Sequence, residues 1–308
     1  MAKLNIYFNG KNYSINEDVL ADARAALEVA FESLSSSGAL AAGLYVDGTM
    51  TKSWEELVSD GIVNVEDGVV ASGYANYNNT SSAYLNGDLV LSDNITSLGE
   101  RAFSSCVQLK SITIQDGVTN IGDFAFNYCP NMAVVIMPDG VINIGNHAFE
   151  TCPNLTSIEI PDSVTTIGND AFARCEGLTN MEIPDGVTEI SDGTFYGCTG
   201  LTSIVIPDSV ITIGPSAFYD CSGLTSVIIP DSVIEIGAQA FYNCTFASIT
   251  IPSSVTKMNA NTFGNCSNLQ SITFTGTVEQ WNAMNKPYNW KNNSPIASVT
   301  CSDGTVAL

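Results

Sequence analysis

Nine cysteines are the residues of this 308-residue chain with the widest chemical reach. Thiols can pair as disulfides, hold a metal or attack a substrate. They stand at positions 106, 129, 152, 175, 198, 221, 244, 266 and 301. The first seven are 23 residues apart and the eighth follows after 22. Zinc wants clustered pairs such as C-x2-C, and none is present. A fixed spacing instead marks a repeat array, in which every cysteine takes an equivalent place in a stack. Stacked Cβ vectors run parallel, which is the wrong geometry for a disulfide. The spacing therefore predicts free thiols packed as small buried groups.

The other chemical residues point the same way. The sole histidine, His147, falls in a slot that other turns fill with Arg101, Phe124, Asp170, Gly193, Ser216 and Gln239. So tolerant a slot predicts an exposed bystander. No G-x-S-x-G elbow, H-E-x-x-H pair or phosphate loop occurs. Carboxylates abound, but glycoside hydrolysis needs two of them across a cleft, about 5–9.5 Å apart, and a regular coil supplies no such cleft. The chain is read as a non-enzyme with no cofactor and no metal site.

The elements that carry these residues follow from the repeat itself. "LTSIVIPDSVITIGPSAFYDC" (201–221) is rewritten as "LTSVIIPDSVIEIGAQAFYNC" (224–244). The shared pattern is L-x-x-I-x-I-P-D-x-V-x-x-I-G-x-x-A-F-x-x-C. Its Phe column runs through 103, 126, 149, 172, 195, 218, 241 and 263. Its Leu column runs through Leu109, Met132, Leu155, Leu178, Leu201, Leu224 and Leu269, with Phe246 filling the slot of the one shortened turn. Each "SIxIP" reads as a short strand, Ile204 and Ile206 inward, Ser203 and Val205 outward. Proline ends the strand because it has no N–H for a ladder. Stacked turns bury against each other what no single turn can bury alone.

The unit resembles the bacterial BspA-like class of leucine-rich repeat over residues 88–274. The tail 275–308 is similar to that family's terminal cap, through Gly276, Thr277, Trp281, Trp290 and "CSDG" at 301–304. The resemblance implies a leucine-rich-repeat solenoid of mainly short parallel β-strands, displayed on a cell surface and used for adhesion or recognition.

Residues 1–70 are a different kind of sequence, expected to form a small α+β module that folds apart from the array. "NIYFNGKNYSI" alternates around Asn9-Gly10, a hairpin signal. Ser14 and Glu17 fit a capping box, followed by Leu20, Ala23, Leu27, Ala30, Phe31 and Leu34 at helical spacing. "GLYVDGTMTKSWEELVSDG" repeats the plan with Ser53 and Glu56, and "IVNVEDGVV" reads as a further strand pair. The opening is similar to N-terminal modules of tail-associated proteins of gut-bacterial phages. Residues 71–87 read as a polar linker or entry loop.

Charge narrows the partners. Asp and Glu number 32 against 10 Lys and Arg, a net charge of -22, and Arg174 is the only cation between Lys110 and Lys257. Such a body repels nucleic acid and anionic lipid. No apolar run reaches the roughly 18 residues of a transmembrane helix, and "MAKLNIYFNG" lacks the apolar stretch of a secretion signal.

Three outward columns remain. Asp93, Asp116, Asp139, Asp162, Asp185, Asp208 and Asp231 form a ladder of like charge, expected to cap their own turns. The strand-face column Thr113, Ile136, Glu159, Glu182, Val205, Ile228, Thr250 and Thr273 varies where its neighbours do not. Tyr196, Tyr219 and Tyr242 form an aromatic column suited to glycan or protein contact, or to stacking on itself. Glu159, Glu182, Val205, Ile228 and the three tyrosines are the candidate binding residues. The expected function is a surface-displayed adhesion protein, extracellular or on the cell surface, recognising a host protein or glycan. The alternative is a structural or receptor-binding part of a phage or phage-like particle, carried on the virion.

Overall fold

The computed structural model describes residues 42–46, 49–60, 62–70 and 85–308, together with the main chain of 3–8 and 11–16. From residue 85 onward the chain winds as a coil whose turns each have three sides.

The front is the "SIxI" strand. Successive fronts pair in parallel one repeat apart, as in Val135 with Ile112, Met181 with Ile204 and Ile249 with Ile272. The turns at 155–160 and 224–229 keep Ile158, Ile160, Val227 and Ile229 buried but do not complete strand pairing, so the front sheet runs in segments. A corner follows, closed by the Val N–H donating to the Pro C=O, for example Val187 to Pro184 at 3.0 Å and Val210 to Pro207 at 3.1 Å. The flank is a two-residue strand. Its isoleucines stack in parallel as Ile121, Ile144, Ile167 and again as Ile190, Ile213, Ile236.

The back carries the "AFxxC" segment and is held without strands. Phe126 N–H donates to Ala148 C=O at 2.7 Å, Phe149 to Ala171 at 2.8 Å and Phe195 to Ala217 at 2.9 Å. Two residues of each back segment, two before and two after the Phe, adopt left-handed backbone. Arg101, Phe124, His147 and Asp170 have φ of 53–57°, and Ser105, Tyr128, Thr151 and Arg174 have φ of 57–61°. Such a residue takes the third position of a tight turn that requires positive φ, at about 1–2 kcal/mol each for a side chain with a Cβ. The inter-turn hydrogen bonds offset that strain.

Inside, the Phe rings stack nearly parallel with centroids 5.2–5.8 Å apart along the whole array. Phe246 does fill the leucine slot of the shortened turn, edge-on to Phe241 and Phe263. All nine cysteines are free and buried. Seven of them also donate: Cys129 Sγ lies 3.2 Å from Phe103 C=O, Cys175 3.1 Å from Phe149 C=O and Cys198 3.1 Å from Phe172 C=O, one turn back each time. The thiol thus ties adjacent turns, a role beyond apolar filling. Where threonine replaces alanine before the Phe, the buried Thr194 and Thr262 hydroxyls each donate to the chain three residues back.

The segment 42–70 does not stand apart from the array. Its hairpin Gly43–Val46 with Thr49–Ser53 extends the front sheet, because Gly43–Val46 pairs antiparallel with Gly87–Val90. Its pair Val65–Glu66 and Val69–Val70 extends the flank, Val69–Val70 lying parallel to Ser97–Leu98. Leu44, Trp54, Leu57, Val63 and Val70 share one core with the repeats. The expected independence of this stretch is therefore corrected: local hairpin signals announce strands but not the strand they pair with. Gly87 shows how close the joint is, since a Cβ there would sit 2.0 Å from Tyr45 C=O.

The helix Trp54–Ser59 has the expected capping box of Ser53 and Glu56. The first hairpin also forms, Lys3–Phe8 antiparallel to Lys11–Asn16. Its ladder continues through Asn16, so Ser14 is a paired strand residue and not a helix cap. The helix expected from Leu20 to Leu34, the turns at 9–10 and 47–48, Gly61 and most of the linker lie outside the described residues.

At the other end, helix Val278–Ala283 lays Trp281 on the last turn. Trp281 and Trp290 meet edge to face at 5.7 Å, and Trp290 meets Phe263 at 6.2 Å, where the Phe column stops. Ser298–Cys301 pairs parallel to the front strand Ser271–Phe274, and Gly304–Ala307 returns antiparallel to it.

Candidate binding surfaces

The front sheet positions four of the candidate residues. Alternation along each strand drives the two isoleucines inward and the residue between them out. Glu159 and Glu182 are exposed, Val205 is 57% exposed and Ile228 82%. Glu182 lies directly beside Val205 in the parallel register. The front therefore presents, turn by turn, Ile136, two glutamates and then two aliphatics, beside a neighbouring outward column that is serine in most turns and Val134 and Asn180 in two.

The three tyrosines sit on the back, in a separate ladder. Tyr196, Tyr219 and Tyr242 stack with centroids 4.8 Å apart and planes 8° apart. All three are half-buried. Each face of Tyr219 is covered by a neighbouring tyrosine, and the ring of Tyr242 packs over Gly264, where a Cβ would come within 2.8 Å. Stacking thus uses up both ring faces of Tyr219, the faces a sugar would need. Burial, reinforced by the tyrosines on either side, raises the Tyr219 hydroxyl above the usual phenol range.

His147 is no exposed bystander. Its ring stacks on Phe124 at 4.5 Å, Arg101 lies 4.3 Å over the other side of that column, and Nδ1 is 2.9 Å from Glu150 Oε2 and 4.0 Å from Asp170 Oδ2. The tolerance of the slot reflects a turn that accepts many side chains at the same left-handed backbone. The arrangement makes a surface stack of Arg101, Phe124 and His147 tied to Glu150.

The aspartate column lies exposed along the corner. Main-chain bonds from Val to Pro close these turns, and the adjacent serines reach back one turn, Ser163 Oγ to Val141 C=O at 2.6 Å and Ser209 Oγ to Val187 C=O at 2.7 Å. Among the described residues no three of His, Cys, Asp and Glu converge as metal ligands, and no helix is long and apolar enough to cross a membrane.

Three exposed residues were missed by the sequence reading: Ile142 at 50%, Ile211 at 46% and Ile234 at 48%. They occupy the first variable position of "VxxIG" on the flank. The signal was present, because that position is threonine in most other turns.

A coil with short parallel fronts, a buried column of leucine in all but two turns and tight turned backs is a leucine-rich-repeat solenoid. The chain belongs to the BspA-type leucine-rich repeat family, whose model matches in six copies across residues 78–202 and 188–289. It is similar to a leucine-rich repeat protein of known structure from Bacteroides ovatus, at 29% identity and TM-score 0.63, over 72% of this chain and 57% of that one. The chain thus spans little more than half the length of that relative. A leucine-rich repeat protein from T. pallidum is 28% identical over 59% of this chain and 77% of its own, with TM-score 0.46. No curated protein matches the chain. The family and fold make this a leucine-rich-repeat scaffold.

Proposed function

We propose that the protein is displayed on a cell surface and recognises a macromolecular partner, a host protein or glycan, through the outside of its repeats, without turning anything over. The observation that carries this reading is the contrast between columns. Every inward position of the front is apolar, and all but the half-buried Met137 are buried, while the outward position changes from Thr113 through Ile136, Glu159 and Glu182 to Val205 and Ile228. The fold leaves that column free, so its contents answer to something else. A long regular face suits extended partners better than small substrates enclosed in a pocket. Family membership supports the surface location.

The test is to immobilise the protein and probe it with a glycan array and a panel of purified host-surface proteins. The front variant Val205→Glu with Ile228→Glu is compared with the back variant Tyr196→Ala, Tyr219→Ala, Tyr242→Ala. Loss of binding in the front variant at unchanged melting temperature assigns the front. Loss in the back variant alone moves the site to the tyrosines. Hydrolysis of a probed glycan, abolished by changing one carboxylate, would overturn the non-enzymatic reading.

A further inference from the structure

The outward residue of each front strand and the outward residue six positions later on the flank vary together. The pairs are Thr113 with Thr119, Ile136 with Ile142, Glu159 with Thr165, Glu182 with Thr188, Val205 with Ile211, Ile228 with Ile234 and Thr250 with Thr256. None of these seven turns mixes an aliphatic residue with a polar one across the corner, and in the first turn, where Val90 precedes Thr96, the valine is buried and not part of the surface. Core packing does not explain the pairing, because all six aliphatic members are at least 46% exposed. Two of these turns are adjacent, Ile234 N–H donating to Ile211 C=O at 2.9 Å. They place Val205 and Ile228 on one slope of the corner, Ile211 and Ile234 on the other, and the exposed Asp208 and Asp231 along the crest.

Such a patch is a ridge, and charge decides what can sit astride it. Between residues 111 and 256 the chain has sixteen carboxylates and one cation. A second copy would bring crest aspartate against crest aspartate, which opposes self-association. The same field excludes nucleic acid and anionic lipid. Branched aliphatics offer sugars neither a flat ring face nor converging hydrogen-bond groups. A protein segment with aliphatic and cationic side chains satisfies both slopes and crest at once.

We propose that the ridge formed by Val205, Ile211, Ile228 and Ile234 docks a basic, aliphatic-bearing segment of a partner protein, with its lysines or arginines on Asp208, Asp231 and the neighbouring Glu182. The inference rests on the binding role proposed above and names the partner class. Ile136 and Ile142 lie three turns away, about 14 Å at strand spacing, and extend the footprint across the two glutamate turns.

The probes are synthetic 12-residue peptides alternating Lys with Leu, Lys with Ser, and Glu with Leu, titrated calorimetrically against the full chain. The ridge variant is Val205→Thr, Ile211→Thr, Ile228→Thr, Ile234→Thr, using the residue that other turns place there. The crest variant is Asp208→Asn, Asp231→Asn, and the charge control is Asp93→Asn, Asp116→Asn, on the same column away from the ridge. The Lys-Leu peptide should bind at least tenfold more weakly to the ridge variant and about fivefold more weakly to the crest variant. The charge control should stay within twofold, and no variant should lower the melting temperature. Equal affinity for the Lys-Ser peptide, or equal losses from crest and control variants, would reduce the effect to diffuse attraction and overturn the proposal. A glycan or host protein captured equally by wild type and ridge variant leaves the binding role standing and removes the ridge. Failure of every peptide, glycan and protein to bind removes both.

Discussion

The two ends of the coil close the same kind of opening with nearly the same parts. At the N-terminal end an antiparallel hairpin, Gly43–Val46 with Thr49–Ser53, terminates the front sheet, and a six-residue helix capped by Ser53 and Glu56 buries Trp54. At the C-terminal end a six-residue helix capped by Thr277 and Gln280 buries Trp281, and the hairpin Ser298–Cys301 with Gly304–Ala307 terminates the front. The difference lies in which side is covered best. The N-terminal segment pairs with both front and flank. The C-terminal segment leaves the flank a single bridge, Lys257 to Asn285, and instead plugs the core with two tryptophans and extends the back ladder, Phe263 N–H donating to Trp290 C=O at 2.9 Å. A stack of turns leaves open main chain and open core at each end. One cap answers mainly the first, the other mainly the second.

The largest expected effect attacks what lies between the ends. Burial pushes the thiols of Cys106 and Cys198 up to about 12, and raises Cys221 and Cys244 well above the ordinary range. The unfolded chain ionises its thiols near pH 8.5 while the folded chain keeps its protons. The folded state then binds more protons, so stability falls as pH rises above that point. Each such thiol contributes about 1.4 kcal/mol per pH unit, roughly 5–6 for these four together. Unfolding should therefore be steep between pH 9 and 11, followed by circular dichroism. A variant with Cys106, Cys198, Cys221 and Cys244 all changed to Ala should be flatter over that range even if less stable at pH 7. Equal slopes would show that the ladder thiols are not what high pH attacks.

Next in size are the tryptophans. Trp281→Ala should cost about 3–5 kcal/mol, as for large aromatic truncations, because Trp281 contacts both Phe274 and Trp290. Trp54→Ala removes a residue as buried, but the strand pairing around it remains. Hydrogen exchange should show the Trp281 variant losing protection back through Phe263, and the Trp54 variant losing it only within 42–70. Matching spread from both ends would erase the contrast between plugged core and paired main chain.

A change at the N-terminal joint sharpens the contrast from the other side. Gly87→Ala sets a Cβ against Tyr45 C=O, at a backbone φ of +145° that side chains rarely adopt. The strand Gly43–Val46 should separate from Gly87–Val90, at a cost of about 2 kcal/mol or more. Protease sensitivity confined to the segment before residue 85, with the repeats intact, is the expected readout.

These joints mark where sequence reading stopped. The phenylalanine, leucine and cysteine columns were legible because an inward position repeats its residue type every turn. The capping box at Ser53 was legible because its partners lie three residues apart. The pairing of Gly43–Val46 with Gly87–Val90 was not, since neither periodicity nor turn chemistry encodes a partner some forty residues away. Left-handed backbone at Arg101, Phe124 and His147 was hidden because glycine, its usual signal, stands at that slot only in Gly193. The front candidates Val205 and Ile228 were found by their variation. Ile211 and Ile234 were overlooked because the flank was read only for what it buries.

The smallest expected effect compares the ends with the middle along the crest. Asp162 has Asp139 on one side and Asp185 on the other, each one turn away, whereas Asp93 has a single neighbour in Asp116. Parallel turns stack at about 4.8 Å, within the Debye length of about 8 Å at physiological salt. Like charges so placed repel, but water screens exposed pairs strongly and their net effect is small. Asp162→Asn should raise the melting temperature by on the order of 1 °C at low salt, and Asp93→Asn by about half as much. Both gains should vanish near 1 M salt, where screening shortens to about 3 Å. A loss of stability at Asp162 that salt does not alter would mean its carboxylate holds the corner turn through hydrogen bonds, and the crest would then be structural at its centre and merely tolerated at its ends.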